Sequence, residues 1–144
     1  MRDFIEESNR IEGIEGVSAR DIQAHEIFLS EPVITLEALV KFVDLIQPGA
    51  VLRNRVGFNV RVGNHIAPPG GPNIEDHLRT LLTRNDLSAW ERHTRYLNLH
   101  PFTDGNGRSA RALWLWERHG YCPLGFLHTF YYETLQHQDR TLTT

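Results

Sequence analysis

His100-Pro-Phe-Thr-Asp-Gly-Asn-Gly-Arg-Ser-Ala-Arg111 is the stretch whose reading decides both fold and chemistry. The residues before it, Ser88 to Leu99, are predicted to form an aromatic-bearing helix with Trp90, Thr94, Leu97 and neighbouring Tyr96 at helical spacing. Pro101 ends that helix at His100, because a proline disfavours helical geometry in its predecessor. Asp104-Gly-Asn-Gly107 then supplies residues that tolerate unusual backbone angles. A new helix follows, through Ala110, Ala112, Leu113, Leu115 and Trp116 to near Gly120. Successive backbone N–H groups in such a turn, at the positive end of a helix, form a concavity for phosphate. Arg108 and Arg111, three apart, are expected to address one face, and two guanidinium groups suit a polyphosphate. Asp104 is a candidate ligand for Mg²⁺, which takes one or two carboxylates together with phosphate oxygens and water. His100 is a base that titrates near neutral pH. Singly, each has a plainer reading: a helix cap, a turn, a solvated basic face. Their joint occurrence between positions 100 and 111 is what points to phosphate chemistry.

Outward from this stretch the chain reads as one domain, residues 1–144, mainly α-helical. Ser18 with Asp21 and Ser88 with Glu91 have capping-box spacing. Thr35 is expected to cap a helix carrying Leu36, Leu39, Val40, Val43 and Leu45, ended by Pro48-Gly49. Asn73 is expected to cap another, from Ile74 to about Arg84 with Leu78, Leu81 and Leu82 inward, and a last helix is expected from Leu124 or Gly125 to about Gln138. One region breaks the helical pattern. Val56, Phe58, Val60 and Val62 alternate with Gly57, Asn59 and Arg61, the period of a strand. That strand runs into Gly63-Asn64 and Pro68-Pro-Gly-Gly-Pro72, so a short hairpin between the third and fourth helices is expected.

Composition narrows the function classes. With 40% hydrophobic and 23% charged residues the chain is an ordinary globular sequence, and a net charge of −3 gives no footprint for nucleic acid or an anionic membrane. The single Cys122 excludes an internal disulfide and a cysteine zinc site. No stretch approaches the ~20 apolar residues of a membrane span. The acidic start, Met1-Arg-Asp-Phe-Ile-Glu-Glu, is not a signal peptide, so a cytoplasmic location is expected.

The motif resembles HxFx(D/E)GNGRxxR, the active-site signature of the Fic (filamentation induced by cAMP) domain family, with every fixed position occupied. The order of elements along nearly the whole chain also resembles a Fic core with a β-hairpin flap. The resemblance implies transfer of a nucleoside monophosphate, AMP from ATP, onto a Ser, Thr or Tyr hydroxyl of a target protein. It implies that His100 takes the hydroxyl proton and that Phe102 anchors the loop. Asp104 would hold Mg²⁺, Gly105, Asn106 and Gly107 would line the anion hole, and Arg108 and Arg111 would hold the β- and γ-phosphates. Relatives with a lysine in place of Gly107 transfer the γ-phosphoryl group, and phosphocholine-transferring relatives carry alanine near the position of Gly105. The two glycines here therefore favour nucleotidyl transfer.

Ser8-Asn-Arg-Ile-Glu12-Gly13 is similar to (S/T)xxxE(G/N), the inhibitory-helix pattern of that family. Ser8 and Glu12 stand i, i+4 and Gly13 is a natural helix terminator. The resemblance implies that residues 1–16 form an inhibitory helix in which Glu12 takes Arg111 away from the γ-phosphate. It also implies that the flap, residues 55–69 with Val60, Arg61, Val62 and His65, docks an extended target segment by strand addition. Tyr131-Tyr132 resembles the segment near the nucleobase in relatives, while the asparagine often found before it is Leu127 here. The alternatives are removal of AMP, with Glu12 positioning water, a bifunctional enzyme, use of another nucleotide, or a non-catalytic nucleotide sensor. Homo-oligomerisation is compatible, since relatives use dimerisation to hold or release the brake. No DNA-binding domain is expected after Thr144.

Overall fold

A computed structural model describes residues 1–62, 65–123 and 140–143. The helix expected over 124–138, with Tyr131 and Tyr132, lies outside the described residues. Six helices occur among the described residues: α1 (Arg2–Ile11), α2 (Ala19–Leu29), α3 (Leu36–Ile46), α4 (Pro72–Thr83), α5 (Ala89–Leu99) and α6 (Asn106–Glu117). The chain is mainly helical, as its periodicity predicts. No helix of the described residues is long and apolar enough to cross a membrane.

Local chemistry explains most boundaries. Ser18 and Ser88 each accept a hydrogen bond from the backbone N–H three residues on, while Asp21 and Glu91 accept from the capping residue's own N–H, so both capping boxes form. Thr35 accepts from Ala38 N–H at the start of α3. Two expectations are corrected. Asn73 does not cap α4: the N-cap is Gly71 at φ 154°, with Pro72 in the first turn, where its missing N–H is no loss. In α5 Tyr96 is buried and Trp90 and Leu97 are partly buried against the core, as their spacing suggested, but Arg92, His93 and Leu99 are buried as well. The buried face is wider than that expectation because Arg92 is taken inside, where it bonds Glu117 and the carbonyls of Leu81 and Arg84.

The main core lies between α2, α3, α4, α5 and α6, with Phe28, Leu39, Phe42, Val43, Ile74, Leu78, Tyr96 and Leu113 each at most 2% exposed. Burying one such aliphatic side chain contributes about 1.5–3 kcal/mol. A second cluster joins Phe4 and Ile5 of α1 to Trp114 and Leu115 of α6. It makes the N-terminal helix part of the packed body.

The extended excursion falls between α3 and α4. Strand β1 (Asn59–Val62) pairs antiparallel with β2 (His65–Ile66), Arg61 facing Ile66 and Val62 facing His65. The strand begins at Asn59, not Val56, which sits in a turn and is 89% exposed. On its other edge β1 pairs antiparallel with β3 (Arg140–Thr143), giving the order β2-β1-β3.

Candidate active site

The loop from His100 to Gly105 is shaped from three directions. Leu52 bridges Phe102, Arg53 N–H donates to Pro101 O at 2.8 Å, and Thr103 N–H donates to Val51 O at 2.9 Å. The segment 51–53 thus runs beside the loop as a short antiparallel partner. From the other side Asn106 brackets Phe102, its Oδ1 accepting from Phe102 N–H at 2.9 Å and its Nδ2 donating to Phe102 O at 2.8 Å. The Phe102 ring, 1% exposed, is the loop's apolar anchor. Beneath the turn, Ser109 Oγ contacts the Tyr96 hydroxyl at 2.8 Å and donates to Gly105 O at 2.8 Å. Burial raises the pKa of Tyr96, so this phenol is a fixed neutral group.

His100 caps α5 in the left-handed region, φ 51° and ψ 62°, and is 8% exposed. Positive φ is uncommon for a residue with a side chain and marks an imposed conformation. Gly105 (φ 77°) is the N-cap of α6, and the helix begins at Asn106, two residues earlier than the sequence pattern, which started it after Gly107, suggested. The first N–H groups of any α-helix have no intrahelical acceptor. The Gly105–Gly107 backbone therefore presents donors and the positive helix end together. Asp104 is the exposed carboxylate of the loop, its Oδ1 accepting from Gly105 N–H at 2.8 Å. Among the described residues no group of three or more His, Cys, Asp or Glu is placed to hold a metal.

The two arginines do not address one face through shared partners, as their spacing suggested. Arg108, 3% exposed, donates from Nη2 to Gln47 Oε1 at 2.7 Å, at the end of α3. Burial lowers its pKa, while the charges of Asp21, Glu12 and Asp104 oppose that shift. Arg111, 1% exposed, turns to the end of α1. Its Nε donates to Ser8 Oγ at 2.8 Å, and its Nη2 donates to Ser8 O at 3.0 Å and to Glu12 Oε1 at 2.9 Å. Glu12 lies just beyond α1 as its C-cap, followed by Gly13 at φ 77°. A Cβ added to Gly107 would collide with Glu12 Oε1, so this carboxylate sits directly over the N-terminus of α6. Asn9, buried beside Ser8, fixes α1 by donating to Gly16 O at 2.9 Å and Asp21 Oδ2 at 3.0 Å.

Sequence reasoning singled out His100, Phe102, Asp104, the Gly105–Arg108 turn, Arg111, Ser8, Glu12 and Gly13; the structure sets Ser8 and Glu12 against Arg111, with Gly13 following Glu12, and places the others on the loop and the first turn of α6. Val60, Arg61, Val62 and His65 are placed in β1 and β2 by backbone pairing. It missed Arg53, Gln47, Asn9, Tyr96 and Ser109. Asn9 and Ser109 lie inside the two motifs at positions where any residue is allowed. Arg53 and Gln47 carry no local signal.

Residues 20–117 match the model of the Fic/DOC family. The chain is 31% identical over 138 residues to the Protein adenylyltransferase Fic of Drosophila erecta, covering 83% of this chain and 26% of that protein. The corresponding Drosophila virilis protein is 31% identical over 137 residues, and the Drosophila melanogaster protein 30% over 138, each covering 83% of this chain and 27% of the relative. The chain spans about a quarter of the length of these curated relatives. No solved structure matches it. The family match runs from α2 to the end of α6 and takes in the whole of the loop, the bracket that holds it and the glycine-bounded helix start, and on that ground the chain belongs to the Fic/DOC family.

Proposed function

We propose that the chain is an autoinhibited protein adenylyltransferase. In this reading His100 removes the proton from a Ser, Thr or Tyr hydroxyl of a target protein. The oxygen attacks the α-phosphorus of ATP, the P–O bond to the β-phosphate breaks, and pyrophosphate leaves. Phosphoryl-type transfer depends mainly on positioning and charge stabilisation, and the site supplies both. The glycine-bounded N-terminus of α6, over which Glu12 lies in this state, offers backbone donors, Arg108 adds a cation, and His100 caps the helix that leads into the same loop. A positioned base contributes roughly 10²–10⁴-fold. The residues present fit Mg²⁺, since Asp104 is an exposed carboxylate beside the phosphate cradle, and the ion would there neutralise charge on the departing pyrophosphate. A single free cysteine, Cys122, is consistent with a cytoplasmic setting.

The observation that carries the inhibited state is the engagement of Arg111 by Ser8 and Glu12. An arginine so held is denied to the γ-phosphate, and ATP then binds without its α-phosphate in line for attack. Docking of the target on the flap is part of the same proposal. Because β1 is paired on both sides, an incoming strand adds at the outer edge of β2 or β3, or replaces β3. One observation favours a second activity of the same site. Glu12 lies over Gly107 with 14% of its side chain exposed, where it can hold a water for hydrolytic removal of AMP.

The test is incubation of wild type and Glu12→Gly with each α-labelled nucleotide and cell lysate, followed by mass spectrometry. Label from ATP on protein hydroxyls, much stronger with Glu12→Gly, is expected. Equal labelling by both forms removes the brake, and no labelling by either removes the transferase. Presenting AMP-modified target to wild type, with release of AMP as the readout, decides the hydrolytic reading.

A further inference from the structure

Arg53 is among the largest fully buried side chains of the protein, at 0% exposure, yet no carboxylate pairs with it among the described residues. Four backbone carbonyls receive its guanidinium instead. Nε donates to His100 O at 2.5 Å and Nη2 to Leu99 O at 2.8 Å, while Nη1 donates to Phe58 O at 2.6 Å and Pro68 O at 2.9 Å. The first two carbonyls close the C-terminus of α5, where the helix dipole is negative and a cation is favoured. This accounts for a buried charge without a counter-ion. The other two lie at either end of the β1–β2 excursion. One planar fork therefore ties both feet of the hairpin to the carbonyl of the residue that carries the base. The neighbourhood leaves little slack. A Cβ on Gly70 would lie 2.5 Å from both Arg55 O and Phe58 O, and Gly71 N–H donates to Arg53 O at 2.9 Å.

We propose that Arg53 is a positioning residue: its guanidinium sets the distance and register between the β1–β2 hairpin and His100, so that a segment docked on the sheet presents its hydroxyl to the base. The kinetic part rests on the adenylyltransferase reading, whereas the mechanical part does not. Lysine keeps the charge but lacks the fork that reaches four acceptors in one plane. Charge alone thus predicts that Arg53→Lys is tolerated, and the strut predicts that it is not.

The experiment compares Arg53→Lys and Arg53→Met with Leu78→Ala, a core change on α4 that controls for lost stability. Backbone hydrogen exchange is read at temperatures where all are folded. Both Arg53 variants are expected to speed exchange at least ten-fold at Gly70 and Thr103 together, with α2 amides unchanged. In the Glu12→Gly background, kcat/KM for target modification per folded molecule is expected to fall at least ten-fold, with ATP affinity within about three-fold and Leu78→Ala near the parent. Uniformly faster exchange, faster exchange at Gly70 alone, or full kcat/KM in Arg53→Lys overturns the proposal. If the Glu12→Gly parent modifies nothing, the transferase reading fails, and the exchange pattern still decides whether Arg53 couples hairpin and loop.

Discussion

Replacing Glu12 with glutamine keeps the side chain's length and removes the charge that faces Arg111, and its consequences can be worked from the geometry. The substitution weakens the pairing of Arg111 Nη2 with Glu12 Oε1 at 2.9 Å, in which the arginine is 1% and the glutamate 14% exposed. Arg111 keeps its bonds to Ser8 Oγ and Ser8 O. The cost is therefore that of one charge-assisted bond, about 1.5–3 kcal/mol, rather than the roughly 3–5 kcal/mol of stranding a buried ion altogether. At about 4 °C per kcal/mol for a domain of this size, the ligand-free melting temperature falls by about 6–12 °C. ATP binding should move the opposite way. On the proposed reading the γ-phosphate displaces Glu12 to reach Arg111 in wild type, and in Glu12→Gln it competes with a neutral amide instead of a carboxylate. The same 1.5–3 kcal/mol then emerges as about 10- to 150-fold tighter binding, and linkage requires ATP to raise the melting temperature more in the variant than in wild type. Calorimetric titration with ATP and melting curves with and without it measure both quantities. Equal ATP affinity and equal melting temperatures in the two proteins would refute the competition.

Three further outcomes are expected. His100→Ala abolishes AMP transfer while leaving ATP affinity within a few-fold; joint loss of both in a titration would make His100 structural instead. Asn106→Ala removes both bonds that bracket Phe102, and turnover should fall about 10²-fold, the scale of losing one preorganised donor, with the melting temperature lowered as well. Stability should also depend on His25, 1% exposed between Phe4 and Phe42 rings, whose Nδ1 is 2.7 Å from Asp21 O. Its Nε2 has no hydrogen-bond partner among the described residues, and burial lowers its pKa to about 4. Because the folded pKa lies below the unfolded value of 6.5, the unfolded chain binds the proton first. Stability conferred by keeping this imidazole neutral is present above pH ~6.5 and is lost as pH falls toward about 4, on the order of 3 kcal/mol in all. Melting curves of His25→Gln across this window should show a correspondingly shallower decline, and an unchanged slope would assign the acid sensitivity elsewhere.

What is legible in the sequence has a common character: the interaction partners are close along the chain. Capping boxes at Ser18 and Ser88 join residues three apart, and the turn at Asp104–Gly107 declares itself within a few letters. The Glu12–Arg111 pair spans 99 positions and is legible only because both residues belong to family patterns. Arg53 has no such help. Its acceptors are backbone carbonyls, which every residue possesses, as far as 47 positions away, so no side-chain identity encodes the contact. The start of α4 differs from its expected place because Asn73 is the better capping side chain, whereas the backbone has already turned at Gly71 and Pro72. The buried face of α5 is wider than its apolar spacing shows because Arg92, by composition a surface residue, finds Glu117 and two carbonyls inside.

The packing of α1 has a consequence for time. Phe4 and Ile5, 6% and 0% exposed, are set against Trp114 and Leu115, so lifting the whole helix away would expose this cluster and is a sub-global opening, far slower than a side-chain motion. Glu12 lies beyond the last turn of that helix and ahead of a left-handed glycine. A change of rotamer there, with a shift of the short Gly13 turn, is a motion of nanoseconds to microseconds. On the proposed reading, the restraint can be lifted and restored many times within one catalytic cycle while α1 stays in place. The responsiveness of the enzyme then belongs to one side chain, and its endurance belongs to the helix behind it.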